Sequence, residues 1–565
     1  MSTTLHVRTL SPLLIGTNQE MQPFEYIVAD GVLYRLDADA LFERILDERP
    51  DAADVFSDWL DANVEQIGRA ERQREYGRLT ELRRSFTLVE FVRRRLGDNR
   101  LAQEIDRDIR TGKLAMYAMR CESLEGLSVE RRNGSLRSTR RSKGTIAVAI
   151  KTGSQQLYIP GSSLKGVLRT AMLYAVLSEA DGALVATLAE ELHRKLSKLR
   201  SQDRIRDADR KFFDETLESL VFYCGTNHRD GTKWDDPKFD LFKLVSVGDS
   251  TVLVPEHAGW VVPVDVYCAG GTVQSITPAA ETIAPGNVVQ MELRIGTAFI
   301  EQARQWLRSG NAVFGRTQWI GIEERFARLY GCPIEEATAD RIVGRLLDAA
   351  WRFGAAIADR DRQWATQHFP DLAAFYDKLP PTAAMMGYAS GFHATTVMLA
   401  MIANPKLRAI EQEVVRLFGI RSRSSQRSIS LDSFPTSRRM ATPDAIGKPA
   451  LPLGWVELSL EPLQRLDSTT GAAATTTSVR TEPIEPPIAE TLRPGATVCA
   501  RIVEVAASGV SVELLARGQE GKAYRCSGVG NTSGLSVGTI VRVRVNMHPK
   551  TKQVQSLTYA GLWKP

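Results

Sequence analysis

An extended run is interrupted at Tyr158-Ile159-Pro160-Gly161, and a helix has to begin within a residue or two of the break. The next residues are Ser162-Ser163-Leu164-Lys165-Gly166-Val167-Leu168-Arg169-Thr170-Ala171. Either serine can cap a new helix by accepting from its free N–H groups. Leu164, Val167, Leu168, Ala171, Ala175 and Val176 recur at helical spacing and predict one apolar face that runs to about Ser178. Lys165 and Arg169 are four apart and share an exposed face. Two readings follow from these residues alone. One is a site for phosphate, where glycines, open amides, the positive helix end and two cations converge. The other is a well-capped helix with a solvated basic face.

The surrounding chain frames that segment. The 565 residues exceed one ordinary core and predict two to four domains. A net charge of +5 does not by itself point to a nucleic acid, so the placement of charge matters more. Cys121, Cys224, Cys268, Cys332, Cys499 and Cys526 form no close pair, and the 7 histidines have no ligand spacing, so neither a zinc site nor another cofactor is expected. No apolar run approaches the ~20 residues needed to span a bilayer, and the N-terminus lacks a signal-peptide core. The expected location is the cytoplasm, away from any membrane.

Leu5 to Leu14 reads as a strand, and Ala29-Asp30-Gly31 between two apolar runs reads as a hairpin turn. In that setting Asp30 is a turn residue rather than a catalytic carboxylate. From Ala38 to about Asp98 the pattern is helical. Between Glu125 and Gly144, Arg131, Arg132, Arg137, Arg140, Arg141 and Lys143 surround Asn133-Gly134-Ser135. This predicts a mobile basic hairpin that tracks a phosphate backbone by charge, against the plainer reading of a solvated loop. Strands are expected at Val252–Val254, Val261–Tyr267 and Val288–Ile295, and helices at Phe299–Ser309 and Ala339–Ala365. A second glycine turn, Met386-Gly387-Tyr388-Ala389-Ser390-Gly391-Phe392-His393, offers amides and one ring for a nucleotide. Its His393 has no cysteine or acid at metal or triad spacing, so a satisfied loop histidine is expected. Arg421 to Arg427 is a further basic stretch.

These marks together resemble the RAMP superfamily, the RNA-binding proteins of CRISPR effector complexes, and within it the fifth-subunit family of type III-A (Csm) complexes. The resemblance rests on Ile15-Gly16-Thr17, Pro23-Phe24-Glu25-Tyr26, the Gly161 segment, Trp234 to Ser250, the Gly387 turn and Pro452-Leu453-Gly454-Trp455. It covers about residues 5–462, in the correct order. Gly248 before Asp249 departs from the family pattern, as do Tyr388 and Ala389, where the family has Trp and Gly. Alanine takes φ > 0 reluctantly, so a less flexible turn is expected there.

The resemblance implies an α+β fold with two ferredoxin-like (RRM-like) domains, residues 1–235 and 236–466, both with helical insertions. It also implies a non-catalytic subunit that caps the 3′ end of the guide RNA (crRNA) and the filament of backbone subunits. The partners it implies are guide and target RNA, neighbouring backbone and small subunits, and host nucleases. Expected RNA contacts are Gly161, Ser162, Ser163, Lys165, Gly166 and Arg169, with Arg137, Arg140, Arg141 and Lys143 on the hairpin and Gly387, Ser390, Gly391 and Phe392 on the second turn.

Residues 467–490 are rich in Thr, Ala and Pro and read as a tether. Residues 491–565 hold five strand-like runs, which predict a small all-β OB barrel. The runs Leu492-Arg493-Pro494-Gly495 and Val537-Gly538-Thr539 resemble OB modules of a large ribosomal small-subunit protein. Lys522, Tyr524 and Arg525 are its expected RNA face, with protein docking as the alternative. Two rival functions remain: a metal-independent endoribonuclease acting on precursor guide RNA, which needs a positioned base and acid, and a general OB-type RNA chaperone.

Overall fold

The computed structural model describes residues 2–73, 75–121, 123–132, 135–141, 144–200, 212–227, 239–275, 278–309, 313–314, 317–319, 321–417, 434–442, 450–466, 494, 496–506, 509–516, 519, 522–527, 540–548 and 553–562. Lys143, Trp234 to Lys238, Arg421 to Arg427 and the tether lie outside these. The chain divides into two compact units, Met1–Ala473 and Ala474–Pro565.

The strand Ser2–Thr9 organises the first unit. It pairs antiparallel with Val288–Ile295 on one side and Trp455–Ser459 on the other. Val245–Val247 and Ala383–Met385 complete a five-stranded sheet as its two edges. Alternation sends Val289, Met291, Leu293 and Ile295 into the core while Gln290 and Arg294 face outward. The helices Gly161–Ser178 and Ala339–His368 pack on each other, the first against the Val245 edge and the second against the Ala383 edge. The Leu164, Leu168, Ala171, Ala175 and Val176 stripe is buried as its spacing requires. Along the chain these elements run strand, helix, strand, strand, helix, strand, strand. The first strand is completed only by strands far down the chain.

A seven-stranded sheet runs in the order Gly16–Met21, Ile146–Ala149, Ala279–Ile283, Gly259–Val262, Ala115–Cys121, Val32–Leu36, Tyr26–Ala29. The expected hairpin is there, with Asp30 and Gly31 at φ 52° and 78°, both left-handed as a two-residue hairpin turn demands. Asp30 pairs with Arg110 at 2.6 Å. The helical insertion after it has its own core, built on Leu41, Ile45, Phe91, Leu101 and Ile105.

In a six-stranded sheet, Gly126–Arg132 and Ser135–Arg141 form a paired hairpin with continuous register from Gly126↔Arg141 to Arg132↔Ser135. The basic stretch is therefore built into a sheet, not a loop without period. Pro263 divides the single strand expected at Val261–Tyr267. Gly259–Val262 and Val264–Cys268 lie in different sheets, since proline has no N–H to continue a ladder. Val252–Val254 is no strand, and only Leu253 forms a bridge, to Leu157.

The second unit is a closed five-stranded barrel in the order Thr497–Ala506, Gly509–Leu514, Ala523–Ser527, Val554–Leu562, Ile540–Met547. Ala500, Ile502, Val510, Val512, Leu514, Val543 and Leu557 fill it.

Candidate nucleic-acid interface

The Gly161 segment is held by residues nearly ninety positions later. Ile159 N–H donates to Ser250 Oγ at 2.9 Å, and Ser250 N–H donates back to the Ile159 carbonyl at 3.0 Å. Gly161 N–H donates to Asp249 Oδ1 at 2.8 Å. A Cβ on Gly161 would stand 2.1 Å from the Val247 carbonyl oxygen, so only glycine lets the helix start against this edge strand.

Two expectations change here. The residue at the helix cap is Pro160, which has no polar side chain to cap with, and Ser162 and Ser163 already lie in the first turn. The Gly161 amide is not bare, because Asp249 occupies the positive helix end that a phosphate would seek. The amides of Ser163 and Leu164 turn to the Pro160 carbonyl at 3.0 and 3.4 Å.

The two cations also part company. Arg169 donates to Glu218 Oε2 at 2.8 Å and to Asp240 Oδ2 at 2.8 Å, and lies 4.0 Å over the Phe222 ring. Burial alone would lower its pKa, but Asp240 and Glu218 outweigh burial and raise it. It acts as an internal brace. Lys165 makes no ion pair among the described residues and stays half-buried, 5.9 Å from the Phe242 ring. Burial lowers its pKa, against the pull of Asp240. The accessible strip is thus Ser162, Lys165 and Gly166, with Ser163 half-buried beside it.

On the hairpin, Arg137 is exposed on the outermost strand of its sheet. Arg140 and Arg141 lie on the same strand, and their side chains, like all of Lys143, fall outside the described residues.

The Gly387 turn follows the opposite edge strand of the five-stranded sheet. Its Tyr388 N–H donates to the Leu14 carbonyl at 2.7 Å. Gly387, Ala389 and Gly391 sit at φ 83°, 65° and 80°. Alanine therefore holds the left-handed conformation here despite its Cβ. Ser390 is buried and donates from Oγ to the Gly387 carbonyl at 2.8 Å. Phe392 packs edge-on to Phe434 at 4.9 Å, so its ring is already engaged. His393 is 3 % exposed inside the short helix Gly391–Thr395, rather than on a loop. Burial, then Arg438 and Arg360, push its pKa down to about 3, which keeps the ring neutral at ordinary pH. The Gly391–Thr395 helix packs against the Gly161 helix, which brings both turns to one pair of helices.

On the barrel, Lys522 and Arg525 are exposed, while Tyr524 points into the barrel side with Cys526 and donates to Gln519 at 2.5 Å. Strand alternation puts Tyr524 and Arg525 on opposite faces, so the three do not make one platform.

Sequence reasoning missed Asp249 and Ser250 as the clasp of Gly161, although the resemblance had marked both. It also missed Asp240 and Glu218 as partners of Arg169. Among the described residues no group of three His, Cys, Asp or Glu side chains is placed to hold a metal ion. No single helix among them is long and apolar enough to cross a membrane.

Sheets of mostly antiparallel strands backed by helices, with glycine turns at both edges of one sheet and a half-buried lysine beside the first, define an α+β protein built around those turns. The chain belongs to the RAMP superfamily, whose family model matches residues 6–296. Its fold is similar to a chain in the cryo-EM structure of a Csm-crRNA-target RNA ternary complex of a type III-A CRISPR-Cas system. The TM-score is 0.50 and the identity 21 %, over 81 % of this chain and 100 % of the other. It also matches the crystal structure of T. onnurineus Csm5 with a TM-score of 0.46 and 19 % identity, over 80 % and 99 % of the two chains. No curated protein sequence matches it.

Proposed function

We propose that the chain is a non-catalytic, RNA-binding subunit of a type III-A CRISPR interference complex, placed at the 3′ end of the guide RNA, where it caps the filament of backbone subunits and contributes to guide maturation and antiviral defence. Membership in the RAMP superfamily carries this reading. The strip Ser162, Lys165 and Gly166 supports it, as does the exposed Arg137 on an outermost strand. Contacts there go to backbone phosphates and 2′-hydroxyls and carry little sequence preference. The five strands and two helices around Ser2–Thr9 support the reading of ferredoxin-like (RRM-like) domains, and the barrel is an OB module on the guide or on a neighbouring subunit. Guide and target RNA, backbone and small subunits and host nucleases are its partners, in the cytoplasm. The buried, neutral His393 speaks against its serving as the acid of a metal-independent nuclease.

The test separates the two cations. Lys165→Gln lowers affinity for guide RNA and reduces the salt slope of binding by about one, with unchanged melting. Arg169→Ala lowers the melting temperature of the first unit, because Glu218 and Asp240 lose their partner. Ribonucleoprotein assembly and salt slope both untouched by Lys165→Gln overturn the proposed RNA contact.

A further inference from the structure

Beside the Gly387 turn, and apart from the strip described above, the first unit contains a cavity of about 360 Å³. One face of the Ala339–His368 helix lines it with Arg360, Gln363, Trp364 and Gln367, and the opposite wall carries Phe434 and Arg438. The four helix residues sit at i, i+3, i+4 and i+7, the spacing that places side chains on one stripe.

The base of the site is buried and fixed. Trp364 is 7 % exposed, and its indole N–H has no hydrogen-bond partner. Arg438 lies over that indole at 5.0 Å. Its Nε donates to the buried Asp361 at 2.7 Å and its Nη1 to the Pro435 carbonyl at 2.7 Å, while Nη2 has no hydrogen bond among the described residues. A buried indole donor and a guanidinium with one uncommitted nitrogen are thus held ready for acceptor atoms. The Arg438 Nη2 is the cationic nitrogen left for an anionic oxygen, and Arg360 lines the same cavity. At the rim, Gln363 and Gln367 are exposed, one helical turn apart, and each offers a donor and an acceptor. The Phe434 ring and the Pro435 ring add flat apolar wall.

Paired amides beside flat apolar surface suit the edge and face of an unpaired base, and the arginines suit its phosphate. The volume lies near the lower end of the ~300–1,000 Å³ of small-ligand pockets, room for one nucleotide and not for a stacked strand. We propose that this cavity holds a single unstacked nucleotide of an RNA strand, its base read by Gln363 and Gln367 and its phosphate held by Arg360 and Arg438. The inference rests on the RNA-binding reading above and adds a base-reading site to it.

The test uses the full chain with its tryptophans replaced by 5-fluorotryptophan. Trp364→Phe identifies the Trp364 signal in the fluorine NMR spectrum, and the probes are the four ribonucleoside monophosphates and inorganic phosphate. A monophosphate is expected to shift the Trp364 signal saturably. The double variant Gln363→Ala/Gln367→Ala, changed only at exposed positions, is expected to weaken that binding roughly tenfold and to level any preference among the bases. Equal affinity for inorganic phosphate would overturn the nucleotide assignment in favour of a simple anion site. A Trp364 signal that no nucleotide moves, in a protein that still retains an RNA oligonucleotide on a filter, would overturn the cavity proposal and leave the RNA-binding reading standing. Absence of any oligonucleotide retention would remove both.

Discussion

The two glycine turns look alike in sequence and differ in why they need glycine. At Gly161 the reason is space, since the Val247 carbonyl oxygen stands where a Cβ would go. At Gly387 the reason is both space and backbone angle, with φ at 83° and a Cβ site 2.5 Å from the Leu14 carbonyl oxygen. The first turn is also filled electrostatically by its own chain, through Asp249, whereas the second is filled by packing, through Phe392 and Phe434. A Gly-Ser loop before a helix is therefore not in itself an open anion cradle. It becomes one only where the chain leaves its amides unclaimed, and here the chain claims those of Gly161, Ser163 and Leu164. What remains for a partner is the outer side of the helix, at Ser162, Lys165 and Gly166.

The largest effect expected from this contrast is at Gly161. Gly161→Ala drives a methyl group into a backbone carbonyl that cannot turn away, because the same strand pairs with Val288–Ile295. The loss should reach ~3 kcal/mol, read as a fall in the denaturation midpoint of the first unit. A midpoint within ~0.5 kcal/mol of the parent chain would mean the helix start can shift, and the steric account of this turn would fail.

The second turn can be probed from both directions. Gly387→Ala should cost about 2 kcal/mol, from the left-handed angle together with the Leu14 contact. Ala389→Gly should do the opposite and stabilise by roughly 1 kcal/mol, since it removes Cβ strain at φ 65°. Opposite signs two residues apart would establish that angle and space govern this turn. A destabilising Ala389→Gly would place the value of Ala389 in its packing instead.

Local period made much of this fold legible. The helices at 161–178 and 339–368, the Asp30-Gly31 hairpin and all five barrel strands declare themselves within windows of a dozen residues. The helix Ile322–Tyr330 could have been found too, for it begins and ends on Gly321 and Gly331, both at positive φ. The strand partners could not. Nothing near Ser2–Thr9 says that its neighbours are Val288–Ile295 and Trp455–Ser459, and a strand pattern is silent about its mate. The same limit hid the site's electrostatics. Lys165 and Arg169 are equal cations by spacing, and only the fold, by bringing Glu218 and Asp240 onto Arg169, makes one a brace and leaves the other open.

The smallest expected effect sharpens the contrast most, because it separates a glycine kept for folding from one kept for a partner. Gly166 sits inside the same helix as Gly161, yet it is exposed, and a Cβ there would meet nothing within 4 Å. For the isolated chain, alanine is the better residue at such a position, and Gly166→Ala should stabilise the first unit by ~0.5–1 kcal/mol. If a ribose-phosphate strand lies against the helix beside Lys165, the added methyl group should meanwhile weaken guide-RNA binding, so stability and affinity move in opposite directions. A gain in stability with unchanged affinity would place the RNA path elsewhere, with the exposed Arg137 on the hairpin as the next surface to test.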